Sequence, residues 1–177
     1  MINYKEKLNH ISAFVFDVDG VLTDASLILF KQDFVRTMNT KDGFALQYAV
    51  KKGYPIGIIT GGRDEAVKFR LNALGITDIY MNTFHKMPDF EDFLYKYSLK
   101  PQEVLYMGDD IPDYEAMTIA GVSAAPKDAC PEILDIADYV SPMRGGKGCV
   151  RDVIEQTLKA KGDWNFLEEQ ENLPKSH

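Results

Sequence analysis

Short runs of apolar residues alternate along the chain with longer segments in which apolar residues recur every three or four positions. The short runs predict buried strands, and the longer segments predict amphipathic helices. Segment 41–53, for example, places Phe44, Tyr48 and Ala49 on one helical face and ends at a glycine. Strands are predicted within "FVF", "YPIGIITG", "ITDIYMN", "EVLYMG", "GVSAA" and "DYVS". This alternation predicts an α/β fold of three layers, with helices on both faces of a parallel sheet.

The other predicted helices follow the same spacing. They lie over "RDEAVKFRLNALG", around Phe90 to Tyr97, after Pro112, between "GVSAA" and "DYVS", and over "KGCVRDVIEQTLKAKG". A chain of 177 residues with 45% hydrophobic residues can bury one core, and no Pro/Gly/Ser-rich linker divides it. We therefore expect a single domain over 1–177, with a mobile acidic tail at about 168–177.

Charge and composition argue against several classes of partner. The formal net charge is −7, from 20 basic and 27 acidic residues, which disfavours nucleic acid or an anionic membrane as a partner. The N-terminal segment "MINYKEKLNHIS" lacks an apolar signal, and no apolar run approaches the ~20 residues of a membrane span. We expect a cytoplasmic protein. Cys130 and Cys149 have no metal-ligand spacing and are interpreted as packing residues.

Candidate chemistry collects where the predicted strands end, which is where parallel α/β sheets bind ligands. The polar residues at these ends are Asp17, Asp19 and Gly20, then Thr60, Gly61 and Gly62, then Asp109 and Asp110, with Lys86 opening a helix. Asp17 and Asp19 are two positions apart, so their side chains point to the same side once the strand has emerged. Carboxylates held together repel each other unless a cation or a shared proton is supplied, which predicts a metal or acid/base site.

The order of these residues resembles the haloacid dehalogenase superfamily. Its phosphatase motifs match "DVDGV", Thr60, Lys86 and "GDDIPD" at 108–113, in that order. The resemblance implies the Rossmann-like fold of this superfamily and a phosphoric monoester hydrolase. It also implies that Asp17 attacks phosphorus and forms an aspartyl-phosphate, while Asp19 protonates the leaving oxygen and then deprotonates the attacking water.

The same resemblance implies a magnesium cofactor. The ion would be held by Asp17, the backbone carbonyl of Asp19, and Asp109. Asp110 and Asp113 would act behind these ligands, where they would orient the lysine of the motif or a metal-bound water.

Members of this superfamily usually select substrates with an inserted cap domain. Here the interval between the first two motifs leaves only about 24–40 free, and "ASLILF" and "DFVRTMN" predict a β-hairpin at about 25–40 instead. The next interval is filled by one helix and one strand. We therefore expect a capless enzyme with an open site.

Three further segments, "NTKDGFAL", "ITGGRDEAVKFR" and "RGGKGCVRDV", resemble 3-deoxy-D-manno-octulosonate 8-phosphate phosphatases, which are tetrameric enzymes of lipopolysaccharide sugar synthesis. The resemblance implies hydrolysis of that sugar phosphate by a homotetramer, which we expect to close through the hairpin. One alternative is a nonulosonate 9-phosphate phosphatase, in which a glutamate often follows Thr-Gly where this chain has Gly62. Another is a capless phosphatase acting on a phosphoprotein. A non-catalytic module is disfavoured because the motif acids and lysine are intact.

A phosphorylated sugar acid requires cations that this acidic chain must supply locally. In the superfamily pattern, Thr60 and the backbone N–H groups after it, beginning at Gly61, hold phosphoryl oxygens, and Lys86 offsets their charge. For the substrate carboxylate we predict Arg63 and Arg144, because the guanidinium fork binds two oxygens.

Overall fold

The computed structural model of the protein describes residues 3–31 and 33–166, so the predicted tail at 168–177 lies outside the described residues. The strands of this part of the chain are Ala13–Phe16 (β1), Ile28–Phe30 (β2), Asp33–Val35 (β3), Ile56–Ile59 (β4), Asp78–Tyr80 (β5), Val104–Met107 (β6), Val122–Ala125 (β7) and Tyr139–Val140 (β8). Strands β2 and β3 form an antiparallel hairpin, and the other strands form one sheet in the order β5-β4-β1-β6-β7-β8. All neighbours in the larger sheet are parallel, as the sequence predicted.

Helices follow most strands of the larger sheet. Helix Tyr4–Lys7 (α1) precedes β1, and the others are Thr40–Lys51 (α2), Glu65–Ala73 (α3), Met87–Tyr97 (α4), Tyr114–Ile119 (α5), Pro131–Ile136 (α6) and Cys149–Lys161 (α7). Among the described helices, none combines the length and the apolar character that a membrane crossing requires.

Strand β1 is buried on both faces of the sheet. Phe14 and Phe16 pack into a cluster with residues of α2, α3 and α7, whereas Ala13 and Val15 pack into a second cluster with residues of α4, α5 and α6. Side chains alternate along a strand, so a continuous apolar run serves both clusters at once. The predicted three-layer α/β fold, with helices on both faces of the sheet, is thereby confirmed.

The central place of β1 determines where polar groups can meet. Strand β1 pairs with β4 on one side and with β6 on the other, and its last residue lies opposite Ile58 and Met107. After β5 the chain crosses to β6, so the strand order reverses between β1 and β6, where open α/β sheets bind ligands. Asp17 follows β1, Thr60 follows β4, and Asp109 lies just beyond β6. Residues from three separate segments therefore reach one edge of the sheet.

The N-terminus of α7 is held by Asp42, in the first turn of α2. Asp42 is buried, and its carboxylate accepts hydrogen bonds from the backbone N–H groups of Gly148 at 3.2 Å and Arg151 at 2.8 Å. Burial raises the pKa of Asp42, and these hydrogen bonds oppose the rise. A separate hydrogen bond holds the loop before α7 beside the turn after β1: the N–H of Gly146 donates to the carbonyl of Val21 at 2.8 Å.

The hairpin of β2 and β3 lies within the interval 25–40 predicted from the sequence. Ile28 is paired with Val35, and Leu29 is paired with Phe34. All four side chains are exposed. The assignment of 1–177 to a single domain stays a prediction.

The two-sided core yields a test on one helix, α4. Phe93 is 0% exposed and packs against Gly57 of β4, whereas Tyr95 is 88% exposed. We expect Phe93→Ala to lower the free energy of unfolding by about 3–5 kcal/mol through lost burial and the cavity that remains. Tyr95→Ala should change it by less than about 0.5 kcal/mol. Urea denaturation of both variants measures this difference, and equal losses would contradict the described packing of α4.

Candidate active site

The turn after β1 carries two of the predicted carboxylates. Asp17 is buried, and its backbone N–H donates to the carbonyl of Met107 at 3.1 Å, which ties the start of the turn to the end of β6. Gly20 has a φ of +89°, and an ideal Cβ at this position would lie 1.9 Å from Asp109 Oδ2. Only glycine adopts this conformation readily and leaves space for the neighbouring carboxylate. Gly20 therefore allows the two acidic segments to approach each other.

Lys86 joins two of the carboxylates. Its Nζ lies 2.9 Å from Asp17 Oδ1 and 2.7 Å from Asp113 Oδ1, and its side chain is 4% exposed. Asp113 also accepts hydrogen bonds from the Tyr106 hydroxyl at 3.0 Å and from the backbone N–H of Asp109 at 3.3 Å. A buried charge requires such partners, so these contacts fix the positions of both the ammonium and the Asp113 carboxylate.

The crowding of these acids shifts their protonation equilibria. Burial raises the pKa of Asp17 well above its ordinary value, the Asp113 carboxylate raises it further, and Lys86 opposes both effects. Burial and Asp113 together raise the pKa of Asp109 to about 7, again against the effect of Lys86. Burial alone would lower the pKa of Lys86, but Asp17 and Asp113 outweigh it and raise that pKa. Lys86 therefore stays charged, but its single ammonium cannot neutralise all of the neighbouring carboxylates.

The same group of acids fits a divalent cation. Asp17, Asp109 and Asp113 each offer a carboxylate oxygen, and these oxygens all lie within 4.8 Å of one another. Three carboxylates face one ammonium, so the charge of a divalent ion would balance the group. Magnesium prefers oxygen ligands of this kind. Asp110 is exposed, and its side chain accepts a hydrogen bond from the N–H of Ile111 at 2.8 Å. Among the described residues, it is not part of this cluster.

An open cleft of about 310 Å³ lies over these groups. Its walls come from the turn after β1, the ends of β4 and β6, and the segment before α4; they include Asp17, Asp19, Thr60, Gly61, Gly62, Phe84, Lys86, Asp109, Asp110 and Asp113. Thr60 is buried, and its Oγ1 accepts from the N–H of Gly62 at 3.1 Å. The backbone after β4 thus turns its small residues toward the cleft. An anion bound here would meet a lysine, a hydroxyl and backbone N–H groups.

Comparison with known proteins agrees with this geometry. The sequence matches the haloacid dehalogenase-like hydrolases over residues 41–121. It is 36% identical over 157 residues to the 3-deoxy-D-manno-octulosonate 8-phosphate phosphatase KdsC of Escherichia coli (strain K12), and the alignment covers 88% of this chain and 84% of that protein. The chain belongs to the haloacid dehalogenase superfamily. The resemblance inferred from its motifs is confirmed.

Solved structures of this superfamily share the fold over nearly the whole chain. One is the 3-deoxy-D-manno-octulosonate 8-phosphate phosphatase from Moraxella catarrhalis in complex with magnesium, phosphate and KDO; its TM-score is 0.91 at 29% identity, with 97% of this chain and 100% of that chain covered. Another is the cobalt-bound deoxy-D-mannose-octulosonate 8-phosphate phosphatase from Haemophilus influenzae, with a TM-score of 0.88 at 26% identity and coverage of 95% and 99%.

Two of the predicted substrate-binding residues lie apart from the cleft. Arg63 lines a second cavity of about 720 Å³, and its Nε donates to Asn82 Oδ1 at 2.6 Å. Arg144 is exposed in the loop before α7 and lines neither of these two cavities of the described chain. Gly61, in contrast, lines the cleft itself. The roles of Arg63 and Arg144 toward a substrate carboxylate stay predictions.

Sequence reasoning missed two residues that contact the predicted site acids of this superfamily member. Tyr106 donates to Asp113 from within β6, and a tyrosine two positions before "GDD" was the available signal. Arg36 follows β3 and forms a two-point ion pair with Asp19, at 2.8 and 3.0 Å. An arginine directly after an apolar strand was its only local signal, because the contact spans 17 positions of sequence.

The close approach at Gly20 can be tested with a matched pair of glycines. Gly20 and Gly53 have φ values of +89° and +88°, but among the described residues nothing lies within 4 Å of an ideal Cβ at Gly53. Alanine at either position should destabilise the fold by about 1–2 kcal/mol through backbone strain. Only Gly20→Ala should displace Asp109, and we expect it to weaken Mg²⁺ or Mn²⁺ binding by about 10-fold or more. Calorimetric titration of both folded variants measures this; wild-type affinity in Gly20→Ala would contradict the site geometry.

Proposed function

We propose that this protein hydrolyses 3-deoxy-D-manno-octulosonate 8-phosphate to the free sugar acid and phosphate, in the cytoplasm and with Mg²⁺ as its cofactor. The observation that carries the proposal is the meeting of Asp17, Asp19, Thr60, Lys86 and Asp109 around one cleft. The 36% identity to a curated phosphatase of that name, over 88% of this chain, supports the choice of substrate.

The mechanism divides phosphoryl transfer between two carboxylates. A carboxylate oxygen of Asp17 attacks phosphorus, and the bond from phosphorus to the sugar oxygen breaks. The electron pair of that bond stays on the sugar oxygen, which takes a proton from Asp19. Asp19 then accepts a proton from water, and the water oxygen attacks phosphorus, releasing phosphate and the Asp17 carboxylate.

Positive charge and positioning lower the barrier to both steps. Lys86, at 2.9 Å from Asp17, neutralises part of the charge that the nucleophile and the phosphoryl oxygens share. Thr60 and the N–H groups that follow it hold the phosphoryl oxygens in the cleft. Mg²⁺, bound by Asp17, Asp109 and the backbone carbonyl of Asp19, would supply the remaining charge neutralisation and help to align the phosphoryl group. Asp113 lies near the same acids, but its Oδ1 is 2.7 Å from Lys86 Nζ, and its role here is to orient the lysine rather than to bind the ion.

Gly62 favours the octulosonate substrate over the nonulosonate alternative. An ideal Cβ at this position would lie 3.4 Å from Thr60 Oγ1, 3.7 Å from Arg36 Nη2 and 3.8 Å from Asp19 Oδ2, so a side chain here would lie beside these groups. The glutamate that often occurs here in nonulosonate phosphatases would add a second carboxylate close to Asp19. Its absence leaves this end of the cleft open. Arg63 and Arg144 remain the proposed partners of the substrate carboxylate.

Turnover of two sugar phosphates tests the function. We expect kcat/KM for 3-deoxy-D-manno-octulosonate 8-phosphate to exceed that for a nonulosonate 9-phosphate by at least about 10-fold. Chelation with EDTA should abolish phosphate release and added Mg²⁺ should restore it. Asp17→Asn should abolish turnover of both substrates because an amide is a poor nucleophile, whereas Asp135→Asn, an exposed substitution on α6, should not. Higher kcat/KM on the nonulosonate or on a phosphoprotein would reject this substrate.

We further propose a homotetramer that closes through the hairpin. Six apolar side chains of this element are exposed, namely Leu27, Ile28, Leu29, Phe30, Phe34 and Val35. An isolated two-stranded hairpin is marginally stable in water, and its edges present unpaired backbone groups. Pairing of four hairpins would cover these groups and would place each protomer over a neighbour's open cleft. The neighbour would then exclude water from phosphoryl transfer in place of a cap domain.

A single charge on the hairpin tests the assembly. Leu29 is 77% exposed in β2, and we expect Leu29→Glu to reduce the assembly to a monomer of 20.0 kDa and to lower turnover. Tyr95→Glu places the same charge on the exposed face of α4 and should leave the assembly intact. Light scattering coupled to gel filtration distinguishes these outcomes. A wild-type monomer with full activity would reject the tetramer.

A further inference from the structure

Arg36 links the hairpin to the proposed proton donor. Its Nε donates to Asp19 Oδ1 at 2.8 Å, and its Nη2 donates to Asp19 Oδ2 at 3.0 Å. The two parallel contacts define both the position of the carboxylate and the plane in which it lies. The hydrogen bonds to Asp19 raise the pKa of Arg36, so its charge is permanent.

A second residue makes the two oxygens of Asp19 unequal. Thr23 Oγ1 donates to Asp19 Oδ1 at 3.2 Å, so that oxygen receives two hydrogen bonds. Oδ2 receives a single hydrogen bond from the described residues, from Arg36. A carboxylate oxygen has two lone pairs, so Oδ2 keeps one available. Oδ2 is also the oxygen near Gly62, whose ideal Cβ would lie 3.8 Å from it and 3.4 Å from Thr60 Oγ1.

Arg36 is itself held firmly. Its Nη1 donates to Asp64 Oδ2 at 3.1 Å, and the other oxygen of Asp64 caps helix α3 by accepting from the N–H groups of Ala66 and Val67. The Arg36 side chain is 8% exposed, and its guanidinium lies 5.9 Å from the centre of the Phe34 ring. The N-terminus of α3 therefore serves as a rigid support, through Asp64 and Arg36, for a carboxylate on a different loop.

Arg36 and Asp19 line two different cavities. Arg36 lines the cavity of about 720 Å³, while Asp19 lines the cleft of about 310 Å³, so the ion pair forms the wall between the two spaces. Asp19 is partly exposed and directly precedes Gly20, whose φ is +89°. Without the guanidinium its carboxylate would be free to rotate away from the leaving group. Misplacement by about 1 Å is enough to reduce a catalytic rate substantially.

We propose that Arg36 is a positioning residue that holds Asp19 with Oδ2 toward the cleft, so that the proton passes from that oxygen to the leaving group. The inference rests on the proposed phosphatase function but not on the identity of the sugar. In the first step the bond from phosphorus to the leaving oxygen breaks, its electron pair stays on that oxygen, and the proton on Oδ2 moves to it. Arg36 and Asp64 take no part in bond making.

The leaving group supplies a test that a merely structural residue would not satisfy. Phenyl phosphate and 4-nitrophenyl phosphate are similar in size, but phenolate needs a proton to depart and 4-nitrophenolate, a much weaker base, does not. We expect Arg36→Ala to lower kcat/KM for phenyl phosphate by about 10- to 100-fold, within or below the 10²–10⁴-fold range typical of a general acid. For 4-nitrophenyl phosphate the loss should stay below about threefold. Since kcat/KM reports only the steps through phosphoryl transfer, the later water attack does not obscure the comparison.

Companion variants separate positioning from charge and from folding. Arg36→Lys keeps the charge but not the fork, so it should recover only part of the loss on phenyl phosphate. Asp64→Asn retains a cap for α3 and removes the acceptor for Arg36, so it should produce a smaller loss of the same kind. Added guanidinium ion should partly restore Arg36→Ala on phenyl phosphate. Arg151→Ala removes an arginine paired with Glu155 within α7 and should leave both substrates unaffected.

Three outcomes would overturn the proposal. Equal losses on the two aryl phosphates in a folded Arg36→Ala protein would mean that the residue supports the site in general. A loss confined to the sugar phosphate would mean that Arg36 binds the sugar. Unchanged or higher kcat/KM on phenyl phosphate would mean that Asp19 does not depend on the ion pair for its position. Failure of the wild-type enzyme on the octulosonate substrate, with activity on aryl phosphates intact, would reject only the proposed substrate.

Discussion

Three carboxylates gathered around one lysine are the constraint on which the rest of the structure depends. Asp17, Asp109 and Asp113 come from different segments and repel one another, so their approach requires a rigid scaffold. The scaffold is the parallel sheet, whose β1 is buried on both faces and fixed between β4 and β6. Burial raises the pKa values of Asp17 and Asp109, and repulsion from Asp113 raises them further. Apolar packing on both faces of the sheet compensates for the repulsion between carboxylates at its edge.

The carboxylates of this group differ in the number of contacts that hold them. Asp113 is fully buried, and each of its contacts comes from a group that is itself fixed, namely Lys86, the Tyr106 hydroxyl and the N–H of Asp109. Asp17 faces the cleft, and of the three partners of Asp113 it contacts only Lys86. Asp113 therefore fixes the positions of its neighbours, whereas Asp17 is available to react. A divalent cation with oxygen ligands would complete the balance without any movement of the sheet.

The hairpin has a double relation to this site. Its outer residues Leu29 and Phe30 are exposed and apolar, which suits contact with other copies of the chain. Arg36, the first residue after its second strand, binds Asp19 and Asp64 at once. The hairpin is thereby joined directly to a carboxylate of the cleft. A small insertion thus stands where related enzymes place a whole domain.

The sequence by itself determined the layers of the fold and the residues most central to the cleft. Apolar periodicity specifies strands and helices locally, and motif spacing identified Asp17, Thr60, Lys86 and Asp109, because each lies next to a strand or helix end that the pattern locates. Only the tertiary structure decided that Arg36 pairs with Asp19, that Tyr106 supports Asp113, and that Arg63 and Arg144 lie outside the cleft. These contacts join loops distant in sequence, and the choice among several reachable carboxylates depends on how helices and the hairpin pack. No local pattern carries that information, because side-chain direction beyond a strand end is set by neighbours that the chain supplies elsewhere.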